Sequence, residues 1–120
     1  MRRKHHDLDS WKAAIELVKQ IYGITSAFPS HEKFGLTSQL RRAAVSVPSN
    51  IAEGCARFSD REFLHFLGMA RGSLSELETQ LIIARELDYL QADAFPTDQL
   101  NKAFSLLGGL INHVRKKVNT

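Results

Sequence analysis

The residues of this chain that could do chemistry are few and poorly matched to one another. His5 and His6 are adjacent, and with His113 they offer three imidazoles, the usual nitrogen ligands of a divalent metal. Neither a Cys-x-x-Cys nor a His-x-x-x-His spacing accompanies them, so no metal is expected. Glu62-Phe63-Leu64-His65 has the Glu-x-x-His spacing of di-iron bundles. Such a site needs a second copy on a facing helix, and none exists. Glu62 is better used in a capping box with Ser59. Glu76 and Glu78 are two apart and so diverge on a helix, a poor arrangement for a general acid and base. Cys55 is the only cysteine, has no positioned base in the sequence, and reads as a small buried hydrophobe. No nucleophile-elbow pattern surrounds the serines and no glycine loop could cradle a phosphate. The expectation is a protein that is not an enzyme, with no catalytic residue, metal or cofactor.

The elements that hold these residues read as four helices. Met1 to Asp7 is a polar arm, and Asp7 or Asp9 can cap the first helix. That helix carries Trp11, Ile15, Val18, Tyr22 and Thr25 as a stripe, with Ala14, Ile21 and Phe28 beside it, and ends before Pro29. The second, from about Leu36 to Arg57, places Leu36, Leu40, Ala43, Ala44, Val47 and Ile51 at spacings of three and four. Pro48 lies in its interior, where it removes a backbone donor and predicts a kink. Gly54 is expected near its terminus. Ser59 and Glu62 form the capping box of a third helix that runs to about Asp88. Its stripe, Phe63 to Ala84, is widened by Leu64, Met69, Ile82, Ile83 and Leu87. A face that broad belongs to the centre of a bundle or to a subunit contact. Gly68 and Gly72, and Gly108-Gly109 in the fourth helix, suggest close approach of another backbone. The fourth helix starts at Pro96-Thr97, with a stripe from Leu100 to Val118. Four helices with short connections and no strand pattern predict an all-α, antiparallel up-and-down four-helix bundle, one domain over residues 1–120.

Composition sets the boundaries of function. With 120 residues, 43% of them hydrophobic, the chain can bury a core. No apolar run approaches the ~20 residues that span a bilayer. The single cysteine fits a reducing cytoplasm. The net charge of +3 permits contact with nucleic acid without demanding it.

The up-and-down order gathers that charge. Arg2, Arg3, Lys4, Lys12, Arg57, Arg61, Arg115, Lys116 and Lys117 fall at the pole carrying both termini, and the opposite pole is acidic. Arg2, Arg3, Lys4, Arg57, Arg61, Arg115, Lys116 and Lys117 are therefore the expected phosphate contacts for RNA or DNA, with binding that weakens as salt rises. Gln39, Arg41, Arg42, Ser49, Asn50 and Glu53 on the second helix and Glu76 on the third are expected to form a polar network between the two helices. Arg41 or Arg42 with Glu76 is its ion pair.

The run GLTSQLRRAAVSVPSNIAEG, from Gly35 to Gly54, resembles the signature of the ribosomal RNA intervening-sequence proteins. DLDSWKAAIELVKQIY, from Asp7 to Tyr22, and FLHFLGMARGSLSELETQL, from Phe63 to Leu81, carry the same resemblance. It implies a left-handed up-and-down bundle and homopentamers around a central channel, with no enzymatic activity. The bundle is also similar to the accessory variability protein of diversity-generating retroelements, a basic pentameric barrel that binds nucleic acid. The resulting expectation is a homo-oligomer, a pentamer, that binds RNA or DNA through its basic poles. The alternative is a scaffold that docks a protein partner on an apolar helix surface.

Overall fold

The computed structural model describes residues 3–119. The described residues form four α-helices: α1 (Asp9–Thr25), α2 (Leu36–Cys55), α3 (Asp60–Glu86) and α4 (Thr97–Val118). Three short 3-10 turns, Lys4–Asp7, Ser30–Glu32 and Ala92–Ala94, precede or join them, and no strand occurs among the described residues. Each helix packs against two others, α1 on α2 and α4, and α3 on α2 and α4. Among the described residues no helix is long and apolar enough to cross a membrane.

The core is aliphatic. Leu17, Ile21, Leu40, Ile51, Leu67, Leu74, Leu77, Leu81, Leu100 and Leu107 are all but inaccessible to solvent. The stripes read for α2 and α4 supply their shares of it, and that of α3 does so from Leu67 to Ala84. That of α1 differs by about one position. Ser10, Ala13, Ala14, Leu17, Ile21 and Thr25 face inward, while Trp11 and Val18 lie at the margin and Tyr22 is exposed. Large aromatics with a polar edge suit a half-wet flank better than a tightly filled centre.

Helix ends correct three further expectations. Leu8, not an aspartate, occupies the N-cap of α1, without a side-chain cap bond. Residues Lys4–Asp7 of the polar arm form a 3-10 turn on α1 and α2, with the His5 and His6 rings both 5.3 Å from Trp11. At α3 the Ser59 hydroxyl accepts from the Glu62 amide at 3.1 Å, but the Glu62 carboxylate accepts from that hydroxyl at 3.4 Å instead of from the backbone.

The glycines divide sharply. Gly54 lies one residue from the end of α2, near the terminus as expected, and is buried; a Cβ there would lie 2.7 Å from Phe66 Cβ and 3.2 Å from the Phe63 carbonyl. Gly68, Gly72, Gly108 and Gly109 have nothing within 4 Å of such a Cβ. The close approach expected at them is not made among the described residues.

The carboxyl end of α3 is closed by Asp88, at φ 63. Its amide donates to the Arg85 carbonyl at 3.0 Å and that of Tyr89 to the Ala84 carbonyl at 2.9 Å. This is a Schellman closure with aspartate where glycine is usual.

Candidate nucleic-acid interface

Four of the expected phosphate contacts converge. Lys4, Arg57 and Lys117 line one open hollow of about 470 Å³, together with Gly54, Phe63 and the Ser59-Asp60 start of α3. Arg3, Lys4 and Arg57 line a second, of about 440 Å³, with His5 and Cys55. Residues far apart in sequence reach this end for a local reason in each case. Lys4 sits on the turn that precedes α1, Arg57 on the connection between α2 and α3, and Lys117 on the last turn of α4, where cations favour the helix dipole. Arg61, Arg115 and Lys116 are exposed and line neither hollow. Arg115 lies 3.4 Å from Asn112 Oδ1 on its own helix. Arg2 lies outside the described residues.

Arg57 is held on two sides. Its guanidinium donates to Glu53 Oε1 at 2.8 Å and stacks on the Phe66 ring at 4.7 Å. The Glu53 carboxylate thereby ties the end of α2 to the connection that follows it. Beside Arg57, Phe58 is fully exposed and borders both hollows. Periodicity passes over it because it lies between two helices and joins no stripe. An apolar ring bracketed by Arg57 and Ser59 is the signal that could have found it.

Cys55 is half-buried between the hollows, and burial pushes its thiol pKa up, with Lys4 opposing part of the rise. A thiol so shifted is a poor nucleophile at neutral pH. The His5 imidazole is pushed down by burial and by its neighbours His6 and Arg3. Among the described residues no group of three or more His, Cys, Asp or Glu is arranged to hold a metal. His65 and His113 are exposed.

The polar residues of α2 go elsewhere than to an ion pair with α3. Arg41 turns to α1, where it donates to Thr25 Oγ1 at 2.8 Å and stacks on Tyr22 at 4.5 Å. Arg42 is exposed beside the Lys33, Phe34 and Val45 side chains, and Gln39 is exposed. Glu76 accepts from Gln80 of its own helix at 3.2 Å. No ion pair joins α2 and α3 among the described residues. The reason is angular: Arg41 lies on the flank of α2 that faces α1. The polar link that does form is smaller. Ser46 and Ser73 share a hydroxyl hydrogen bond of 2.8 Å across the seam, and Asn50 Nδ2 donates to Ser46 Oγ and to its carbonyl, each at 2.9 Å. Ser49 donates to the Val45 carbonyl at 2.8 Å. Ser49 and Asn50, the two residues after Pro48, bond carbonyls one turn back, while the carbonyl that Pro48 leaves without a helical donor is that of Ala44.

The family described as 23S rRNA-intervening sequence protein matches residues 6–113. The chain belongs to this family. Comparison with curated proteins finds no match. The matched span covers all of α1, α2 and α3 and most of α4, and so takes in the positions of Arg57 and Phe58 and ends before Arg115, Lys116 and Lys117.

Proposed function

We propose that this intervening-sequence protein is a cytoplasmic, non-enzymatic, antiparallel up-and-down bundle that self-associates as a pentamer and binds RNA or DNA through its basic pole. The observation that carries the binding is the convergence of Lys4, Arg57 and Lys117 on one opening. Lys4, Arg57 and Lys117 come to this hollow from three distant segments, against Asp60 in its lining and the Glu53 carboxylate paired with Arg57. The antiparallel order is supported by paired contacts along the seam. Ser46 meets Ser73, whereas Gly54, eight residues on, meets Phe63 and Phe66. A bend in α2 is supported by the back-bonding of Ser49 and Asn50 around Pro48.

Self-association is supported by two exposed apolar faces of different make-up. On α3, Met69, Ile83 and Leu87 are 46%, 44% and 50% exposed, with Glu76 and Gly72 between them. On the α1–α2 side, Phe34 is 89% exposed beside Val45 and Tyr22, among Lys33, Arg41 and Arg42. Unlike faces that mate head to tail build rings. Five poles in one ring would bind with high effective concentration. The resemblance to the accessory variability protein of retroelements points the same way.

Two measurements test this reading. Light scattering should give a mass near five chains. Fluorescence anisotropy with RNA and DNA should give an affinity that falls steeply with salt. Replacing Lys4, Arg57 and Lys117 by Gln should flatten the log–log salt slope by about one for each cation removed. A monomer that binds neither polymer, or binding indifferent to salt, rejects the reading. A partner held at high salt by the apolar faces would favour the scaffold alternative.

A further inference from the structure

We infer that Phe58 is a stacking platform for an unpaired base, so that the ligand of the basic pole is a single-stranded polynucleotide and not a duplex. The inference rests on the nucleic-acid reading above and narrows it to a substrate class.

Three observations carry it. Phe58 has no cover at all, although a ring of that size normally contributes to a core. It borders both hollows, so cations flank it on two sides, Lys117 in one, Arg3 in the other, and Lys4 and Arg57 in both. Its place in the chain is fixed by rigid neighbours. Arg57, on one side, is clamped by Glu53 and Phe66, and Ser59, on the other, caps α3. A single strand presents a base with a phosphate on either side of it, and a ring between cationic hollows meets both needs. A duplex hides its base faces in the stack, and would leave the ring against sugar and water. Asp60, the acidic residue lining one hollow, disfavours a phosphate close to that side of the helix start. The strand is therefore placed along Lys4 and Arg57.

The test uses the full chain with labelled oligouridine RNA and oligothymidine DNA of about twelve nucleotides, beside a duplex of equal length. Phe58→Ala should weaken binding of both single strands about tenfold and leave duplex binding and the mass by light scattering unchanged. Phe58→Trp should restore single-strand affinity, since any flat ring can stack. If Phe58→Ala binds single strands as the parent does, stacking is overturned while the basic pole stands. If it lowers the oligomeric mass, Phe58 is a subunit contact and the inference fails. A parent chain that binds no polynucleotide removes the underlying reading itself.

Discussion

The Tyr89 hydroxyl donates to Glu32 Oε2 at 3.0 Å while Glu32 Oε1 accepts from the Leu36 amide at 3.1 Å, so one carboxylate joins the start of α2 to the connection between α3 and α4. The pair lies beside the Phe28 ring, 5.6 Å from that of Tyr89.

This bridge has a pH window. The Leu36 amide first, and then the Tyr89 hydroxyl, hold the Glu32 carboxyl below its ordinary 4.5. Its contribution is complete above that value and is lost as pH falls through the depressed one. The same hydrogen bond raises the Tyr89 phenol above its ordinary 10.0, so the contribution is lost again as pH climbs past that point. Tyr89→Phe should raise the Glu32 pKa part of the way back, as read by NMR titration of the carboxyl carbon. A Glu32 titration curve identical in the two proteins refutes the bridge.

Alanine should act with opposite signs at two glycines. Gly54→Ala drives a methyl into Phe66 and the Phe63 carbonyl, and overpacking of this kind costs about 1–3 kcal/mol. Gly68→Ala meets nothing and removes backbone freedom from an exposed helix, worth up to ~1 kcal/mol of stabilisation. Urea unfolding of the two variants settles the matter, and equal shifts in one direction would contradict the packing described.

Asp88 pays the left-handed penalty that glycine avoids. Asp88→Gly should stabilise the chain by about 1 kcal/mol. Thermal unfolding that is unchanged or lowered would mean that the aspartate side chain makes a compensating contact.

Cys55 should react slowly. Its raised pKa keeps the thiolate scarce at pH 7, so labelling by a disulfide reagent should speed up as pH approaches and passes the ordinary 9.0. Lys4→Gln removes the opposing charge and should slow labelling further. Faster labelling in that variant would place Lys4 away from the thiol.

Much of the fold is legible in the sequence because it rests on helical periodicity. Leu36, Leu40, Ala43, Val47 and Ile51 recur at helical spacing and are buried as that spacing requires. The stripe of α1 is misleading because Trp11 and Tyr22 are apolar by type but amphipathic by structure, and Leu17 fills the centre instead. Gly68 and Gly72 carry the same letter as Gly54, and only a neighbouring helix decides which of them is crowded. At the basic pole, charge and helix order suffice to name Lys4, Arg57 and Lys117, since helix ends are predictable. The partner of Arg41 and the exposure of Phe58 are tertiary facts. They depend on the rotation of one helix about its axis and on a turn that no periodic pattern covers.

The clamp on Arg57 bears on the entropy of recognition. A free arginine loses rotamer freedom when it grips a ligand, on the order of 1 kcal/mol for a side chain of this length. Here the Glu53 carboxylate and the Phe66 ring already restrict part of that freedom, and the crowding at Gly54 holds the end of α2 against α3. The disorder surrendered on binding is then mostly the partner's. A flexible partner would associate with a large entropic penalty of its own, and one already rigid in the fitting shape would bind far more tightly to the same unmoving surface.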